Sequence, residues 1–195
     1  DNEERLYRRT TQVEAPLNIA TVLGQYIAFG ADPERVWKKY GTVVKEVLKS
    51  YLPGRRAEVA MHPNGLLWAQ LDGWALSWMN AYIDGVPVTE RAGYQVETNA
   101  FWYNMICFAL DMEERFGGKK KDTSFVTGFS KIRDLVKDNF MEVFLDPSSK
   151  SLADYVDNSG RHNEVRPNIL LAVALEHTPV DDETVQAVMS TVKKE

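Results

Sequence analysis

From residue 32 to residue 51 the apolar side chains Val36, Tyr40, Val43, Val44, Val47, Leu48 and Tyr51 return at helical spacing and share one face. Asp32 offers a capping carboxylate, Pro33 suits the first helical turn, and Pro53-Gly54 stops the run. Ahead of it, Leu17, Ala20, Leu23, Ile27 and Ala28 predict another helix over residues 15–29, opened by Pro16 and ended by Gly30. So short a connection makes the two helices antiparallel neighbours. Further on, Val96, Ala100, Tyr103, Cys107 and Leu110 predict a helix reaching Phe116. Phe125, Phe129, Ile132, Val136, Phe140 and Val143 predict one over residues 122–144. Pro167 opens an apolar run ending at Leu175, which reads as a helix buried all round, with a buried strand as the competing reading. A last helix from Asp181 has carboxylates in its first turn and Lys193-Lys194 in its last, matching the helix dipole.

Between the second and third helices the period is lost. Residues 58–69 hold Pro63-Asn64-Gly65, a turn between two short extended pieces, and so predict a small β-hairpin. A long irregular passage follows, with Gly73, Gly85, Pro87 and Gly93. Loops of this length are usually functional or disordered. Trp68, Trp74, Trp78 and Trp102 fall in or beside this one, and disordered segments are poor in aromatics. Asp72, Asp84, Glu90 and Glu97 accompany them, and rings beside carboxylates suit a sugar, whose CH faces stack while its hydroxyls seek polar partners. Residues 151–157 predict a short strand and Asn158-Ser159-Gly160 a turn. Six helices with almost no strand describe an all-α chain of helical hairpins. Such hairpins can form a bundle, a solenoid or an α/α toroid, and periodicity does not choose among them. At 195 residues the chain reads as a single helical segment, 1–195, able to bury a core alone or within a larger domain.

Composition removes several function classes. The net charge is −5 and the main basic run, Gly118-Lys119-Lys120-Lys121, sits in a loop, so no nucleic-acid surface is expected. Cys107 is alone, which excludes an intrachain disulfide. His62, His162 and His177 show no ligand spacing and no metal is expected; no glycine-rich phosphate loop occurs and no cofactor is expected. Ser77 lacks the context of a nucleophilic serine. No apolar run approaches the ~20 residues of a membrane span, so no membrane contact is expected. The opening Asp1-Asn2-Glu3-Glu4-Arg5 is unlike a signal peptide, which points to the cytoplasm, with an export signal further upstream left open.

Five short blocks carry a resemblance. Val13-Glu14-Ala15-Pro16-Leu17, Leu76-Ser77-Trp78-Met79-Asn80-Ala81, Val88-Thr89-Glu90-Arg91, the stretch from Val96 to Asn104, and Val165-Arg166-Pro167-Asn168 follow one another along the chain. They resemble the glucosidase part of the glycogen debranching enzymes, the amylo-α-1,6-glucosidases. Those blocks typically read D-A-P-L-W, L-T-W-M-D-A, T-P-R, V-E-I-N-A-L-W-Y-N and R-P-N. The resemblance implies an (α/α)6 toroid, of which this chain would form about half, and hydrolysis with inversion of α-1,6-glucosyl stubs on glycogen or a related α-glucan.

Inversion requires one carboxyl group to protonate the leaving oxygen and another to activate water. In the family the acid is the aspartate of W-M-D-A; here that position is Asn80. An amide has no proton of useful acidity, so Asn80 can hold a sugar hydroxyl but not act as the acid. The family's base lies beyond R-P-N beside a tryptophan-rich helix start, a motif not met before Glu195. The chain alone is therefore expected to be inactive. Glu14, Asn18 and Glu90 also depart from the family's aspartate, tryptophan and proline.

Among the matching residues, Trp78, Arg91, Asn99, Trp102, Asn104, Arg166 and Asn168 are candidate saccharide contacts, and Glu97 a candidate catalytic or supporting carboxylate. Plainer readings make Tyr103 core, Glu97 a helix cap, and Arg166 with Asn168 a loop anchor. The partners implied are an α-glucan or oligosaccharide, the rest of the toroid, or a second copy of this chain. The alternative function is a non-catalytic carbohydrate-binding or scaffold protein. A third is another toroid glycosidase drawing its acid from Glu97, Asp84 or Asp72.

Overall fold

A computed structural model describes residues 12–194; the opening run Asp1-Asn2-Glu3-Glu4-Arg5 lies outside them. Among the described residues there are six α-helices: α1 (Ile19–Ala28), α2 (Pro33–Ser50), α3 (Val96–Phe116), α4 (Thr123–Phe144), α5 (Pro167–Val173) and α6 (Asp182–Val192). Helix α3 is the hub, with α1, α2, α4 and α5 packed around it. Its Val96, Ala100, Trp102, Met105, Ile106 and Ala109 have lost all contact with solvent, and so have Glu97 and Asn99. The polar residues of α3 are buried because neighbours cover several of its faces, where the sequence shows one apolar stripe.

Local signals explain the helix ends. Asp32 accepts from the Glu34 amide at 2.9 Å, Asp122 from Phe125 at 3.0 Å and Asp181 from Thr184 at 2.8 Å. Each cap is worth about 1 kcal/mol. Pro16 sits in a 3-10 turn, Ala15–Asn18, that leads into α1, and Gly30 leaves the helix at φ +101°. Buried Glu113 joins three helices, accepting from Trp37 Nε1 at 3.0 Å, Lys45 Nζ at 3.3 Å and the Asp122 amide at 2.7 Å.

Helix α5 corrects two expectations. It stops at Val173, and only Asn168, Ile169 and Ala172 are buried, while Leu171 is 36% exposed. It is therefore neither buried all round nor a strand, because α3 covers one of its sides. At α6 the last turn ends at Val192, so Lys193 caps the helix and Lys194 follows it.

The all-α reading with almost no strand is also corrected: the fold is mainly helical with three small antiparallel sheets. The expected hairpin forms as β1 (Val59–Met61) and β2 (Leu67–Ala69), with Val59 opposite Ala69. A second hairpin, β3 (Tyr82–Ile83) and β4 (Val86–Pro87), turns on Asp84 and Gly85 at φ 51° and 80°, the geometry that an Asp-Gly pair favours in tight hairpins. The third sheet joins β5 (Tyr94–Gln95), β6 (Tyr155–Asp157) and β7 (Gly160–His162). It ties the start of α3 to the segment leading into α5, and Val96 N donates to Asp154 O at 3.2 Å. That junction positions the site.

Candidate functional site

Arg91 is 2% exposed and sits in the loop ahead of α3. Its Nη1 and Nη2 donate to the two oxygens of Glu97 at 2.5 and 2.7 Å. Its Nε reaches Asp154 Oδ2 at 2.9 Å, and Nη2 also reaches Asp154 Oδ1 at 3.1 Å and the Asp154 carbonyl at 2.8 Å. Nη1 further donates to Ser77 Oγ at 3.4 Å. Burial alone would lower the Arg91 pKa, but the hydrogen bonds and charges of Glu97 and Asp154 outweigh it and hold the pKa above its ordinary value. The pairing meets the condition for a buried guanidinium, every N–H facing an acceptor.

Asp154 carries the network outward. Its Oδ2 accepts from Arg166 Nη1 at 2.5 Å and its Oδ1 from Asn168 Nδ2 at 2.6 Å. Asn168 Oδ1 in turn accepts from Trp78 Nε1 at 2.8 Å, and its amide also contacts Met79 Sδ at 3.3 Å. A line of hydrogen bonds thus runs from Glu97, in the first turn of α3, to Trp78, a residue 42% exposed. Asn80, two residues further on, is half-buried, and none of these hydrogen bonds engages its side chain.

The candidates therefore divide. Trp78, Arg91, Glu97, Arg166 and Asn168 meet in one network, with Asn80 beside it in the chain. Asn99 is elsewhere: its amide exchanges hydrogen bonds with Leu67 N at 2.7 Å and Leu67 O at 3.0 Å, pinning β2 to α3. Trp102 is buried, donates to Gly65 O at 3.1 Å, and packs against Tyr51 and Phe129. Asn104 accepts from His177 N at 3.1 Å and reaches Thr21 Oγ1 at 3.4 Å. These three face protein. Tyr103 is half-buried against the core, and Asp72 and Asp84 are exposed.

Two members of the site escaped the sequence reading. Asp154 lies in no recognised block; its signal is a lone charge directly after buried Leu152 and Ala153. Glu14, noted only as a departure from the family, is 5% exposed, and its Oε2 has no hydrogen-bond partner among the described residues. Burial pushes its carboxyl up to about 7, with nearby Glu97 adding to the shift and backbone amides and Arg91 opposing it.

Among the described residues no group of three or more His, Cys, Asp and Glu side chains is arranged to hold a metal ion, and no helix is long and apolar enough to cross a membrane. His62 instead pairs with Tyr94 Oη at 2.9 Å, and His162 with Asp157 at 3.1 Å. Compared with known families, residues 2–195 match the one described as amylo-alpha-1,6-glucosidase. No curated protein matches the chain.

Proposed function

This chain belongs to the amylo-α-1,6-glucosidase family, and from that membership we propose that it forms one wall of an α-glucan cleft in a glycogen-debranching-type glycoside hydrolase domain. In this reading the helices supply about half of an α/α toroid. The observation that supports it is convergence: residues from blocks scattered between Trp78 and Asn168 end on one buried ion network, and that network holds the Nε1 of an exposed tryptophan. A ring fixed in this way can stack on the CH face of a glucosyl unit without first losing rotamer freedom. The Asn80 amide beside it is suited to a sugar hydroxyl.

In inverting hydrolysis the acid delivers a proton to the leaving oxygen as the C1–O bond breaks, and a base removes a proton from the attacking water. The position of the family's acid carries an amide here, so this wall binds the branch stub without supplying that proton. Glu97 spends both oxygens on Arg91 and acts as its support. Asn99, Trp102 and Asn104 form the scaffold behind the wall. A second reading, a carbohydrate-binding protein that has given up catalysis, draws on the same Asn80 substitution.

Glucose release from a phosphorylase limit dextrin by the full-length protein tests both readings. Native protein should release little, and Asn80→Asp should raise the rate by about 100-fold or more. Brisk native release that Asn80→Asp leaves unchanged and Glu97→Gln abolishes would move the acid to Glu97. Saccharide binding without release in either form would favour the non-catalytic protein.

A further inference from the structure

Glu14 lies where the Arg91 network has no positive charge left to offer. The N–H groups of Arg91 are directed at Glu97, Asp154 and Ser77, and none reaches Glu14. Arg166 is held by Asp154. Two guanidiniums, Arg91 and Arg166, thus balance two carboxylates, Glu97 and Asp154, and an ionised Glu14 would be a third anion with an oxygen left unpaired in a buried place. Buried anions without a partner give up their charge instead.

Glu14 is also tied to the rim of the site. Through its own chain neighbour, Val13, whose N donates to Leu76 O at 2.9 Å, Glu14 is joined to the loop two residues ahead of Trp78. Tyr51, the C-cap of α2, fixes the same segment through its hydroxyl, which donates to Val13 O at 2.5 Å. We infer that Glu14 is a positioning residue: in its uncharged form it holds the loop bearing Trp78 and Asn80 against the Arg91 network, and its ionisation loosens that loop and weakens saccharide capture.

The groups facing Glu14 agree with this. Glu97 at the start of α3 repels its charge and Arg91 in the loop attracts it, while burial is the larger effect and brings the carboxyl to about 7. From the C-cap of α2 it meets Tyr51, a phenol pushed up to about 12 and so neutral, behind which Arg56 and Glu58 pair with each other at 2.6 Å. Ionisation therefore falls in the neutral range, where it adds a second negative charge beside Glu97.

The saccharide half of this proposal rests on the reading of Trp78 and Asn80 as sugar contacts; the positioning half does not. In the full-length, ligand-free protein, carbon NMR of the Glu14 carboxyl and the indole N–H signal of Trp78 should titrate together between about pH 6 and pH 8. Glu14→Gln keeps the size and a side-chain oxygen but cannot ionise, and in that variant the indole signal should be flat over the same range. Affinity for a branched maltooligosaccharide should fall several-fold across the range in native protein and stay constant in Glu14→Gln. A Glu14 carbon that titrates in the ordinary carboxylate range, or an indole titration that persists in Glu14→Gln, overturns the proposal. A ligand-free titration as expected, with no saccharide bound at any pH, upholds the positioning role and sinks the sugar-site reading. If Glu14→Gln fails to fold, the native carboxyl titration decides alone.

Discussion

Asp154 accepts from Arg91, Arg166 and Asn168 at once, so its removal leaves the buried Nε of Arg91 without an acceptor and takes one of its two carboxylates, Glu97 remaining. Breaking a buried pair in this way costs about 3–5 kcal/mol. Asp154→Ala should lose that much in urea unfolding; a loss below about 1 kcal/mol would mean the network adds little to the fold. Glu14 acts in the opposite sense. Its folded pKa, about 7, lies above the ordinary value of 4.5, so the folded state binds the proton more tightly. The stability this lends is fully present below pH 4.5 and is lost as pH rises towards 7. Native protein should therefore lose roughly 3 kcal/mol relative to Glu14→Gln across that window, measured by chemical denaturation at several pH values. Parallel stability curves would show that Glu14 titrates normally.

The sheet of β5, β6 and β7 brings Asp154 to the start of α3, and Gly93 makes that approach possible. It has φ +117°, and a Cβ there would lie 2.3 Å from the Val156 carbonyl oxygen. Gly93→Ala should cost more than about 2 kcal/mol, read as a lower melting temperature, because it combines an unfavourable backbone region with a steric clash. The long helices were legible because an apolar stripe such as Phe125 to Phe140 repeats for several turns. Strands of two or three residues give no such repeat. Tyr94 finds its partner Val156 far along the chain, so β5 carried no local signal, whereas Asp84-Gly85 was a usable turn signal with flanks too short to act on. Helix α5 misled because Leu170, Leu171 and Val173 look like core, yet only one side of it meets α3.

Among the described residues, exposed apolar side chains gather in groups of three on two elements. On and just after α1, Val22, Tyr26 and Phe29 are exposed, as are Ile83, Val86 and Val88 on and beside the β3–β4 hairpin near Asn80. In the reading proposed above, surfaces of this kind would be covered by the remainder of a toroid or a second copy of the chain. The resemblance in the sequence named residues of which the fold brings five into one network, but it did not separate them by the contacts they make. Arg91, Glu97, Arg166 and Asn168 build the support beneath Trp78, whereas Asn99, Trp102 and Asn104 serve the core, a division set by which face of α3 each neighbour covers. Calorimetric titration of the full-length protein with an oligosaccharide carrying a single α-1,6-glucosyl stub tests the sugar wall most directly. Native protein should bind it and Trp78→Ala, still folded by circular dichroism, should bind at least about tenfold more weakly; no binding by native protein, or equal binding by both, would contradict it.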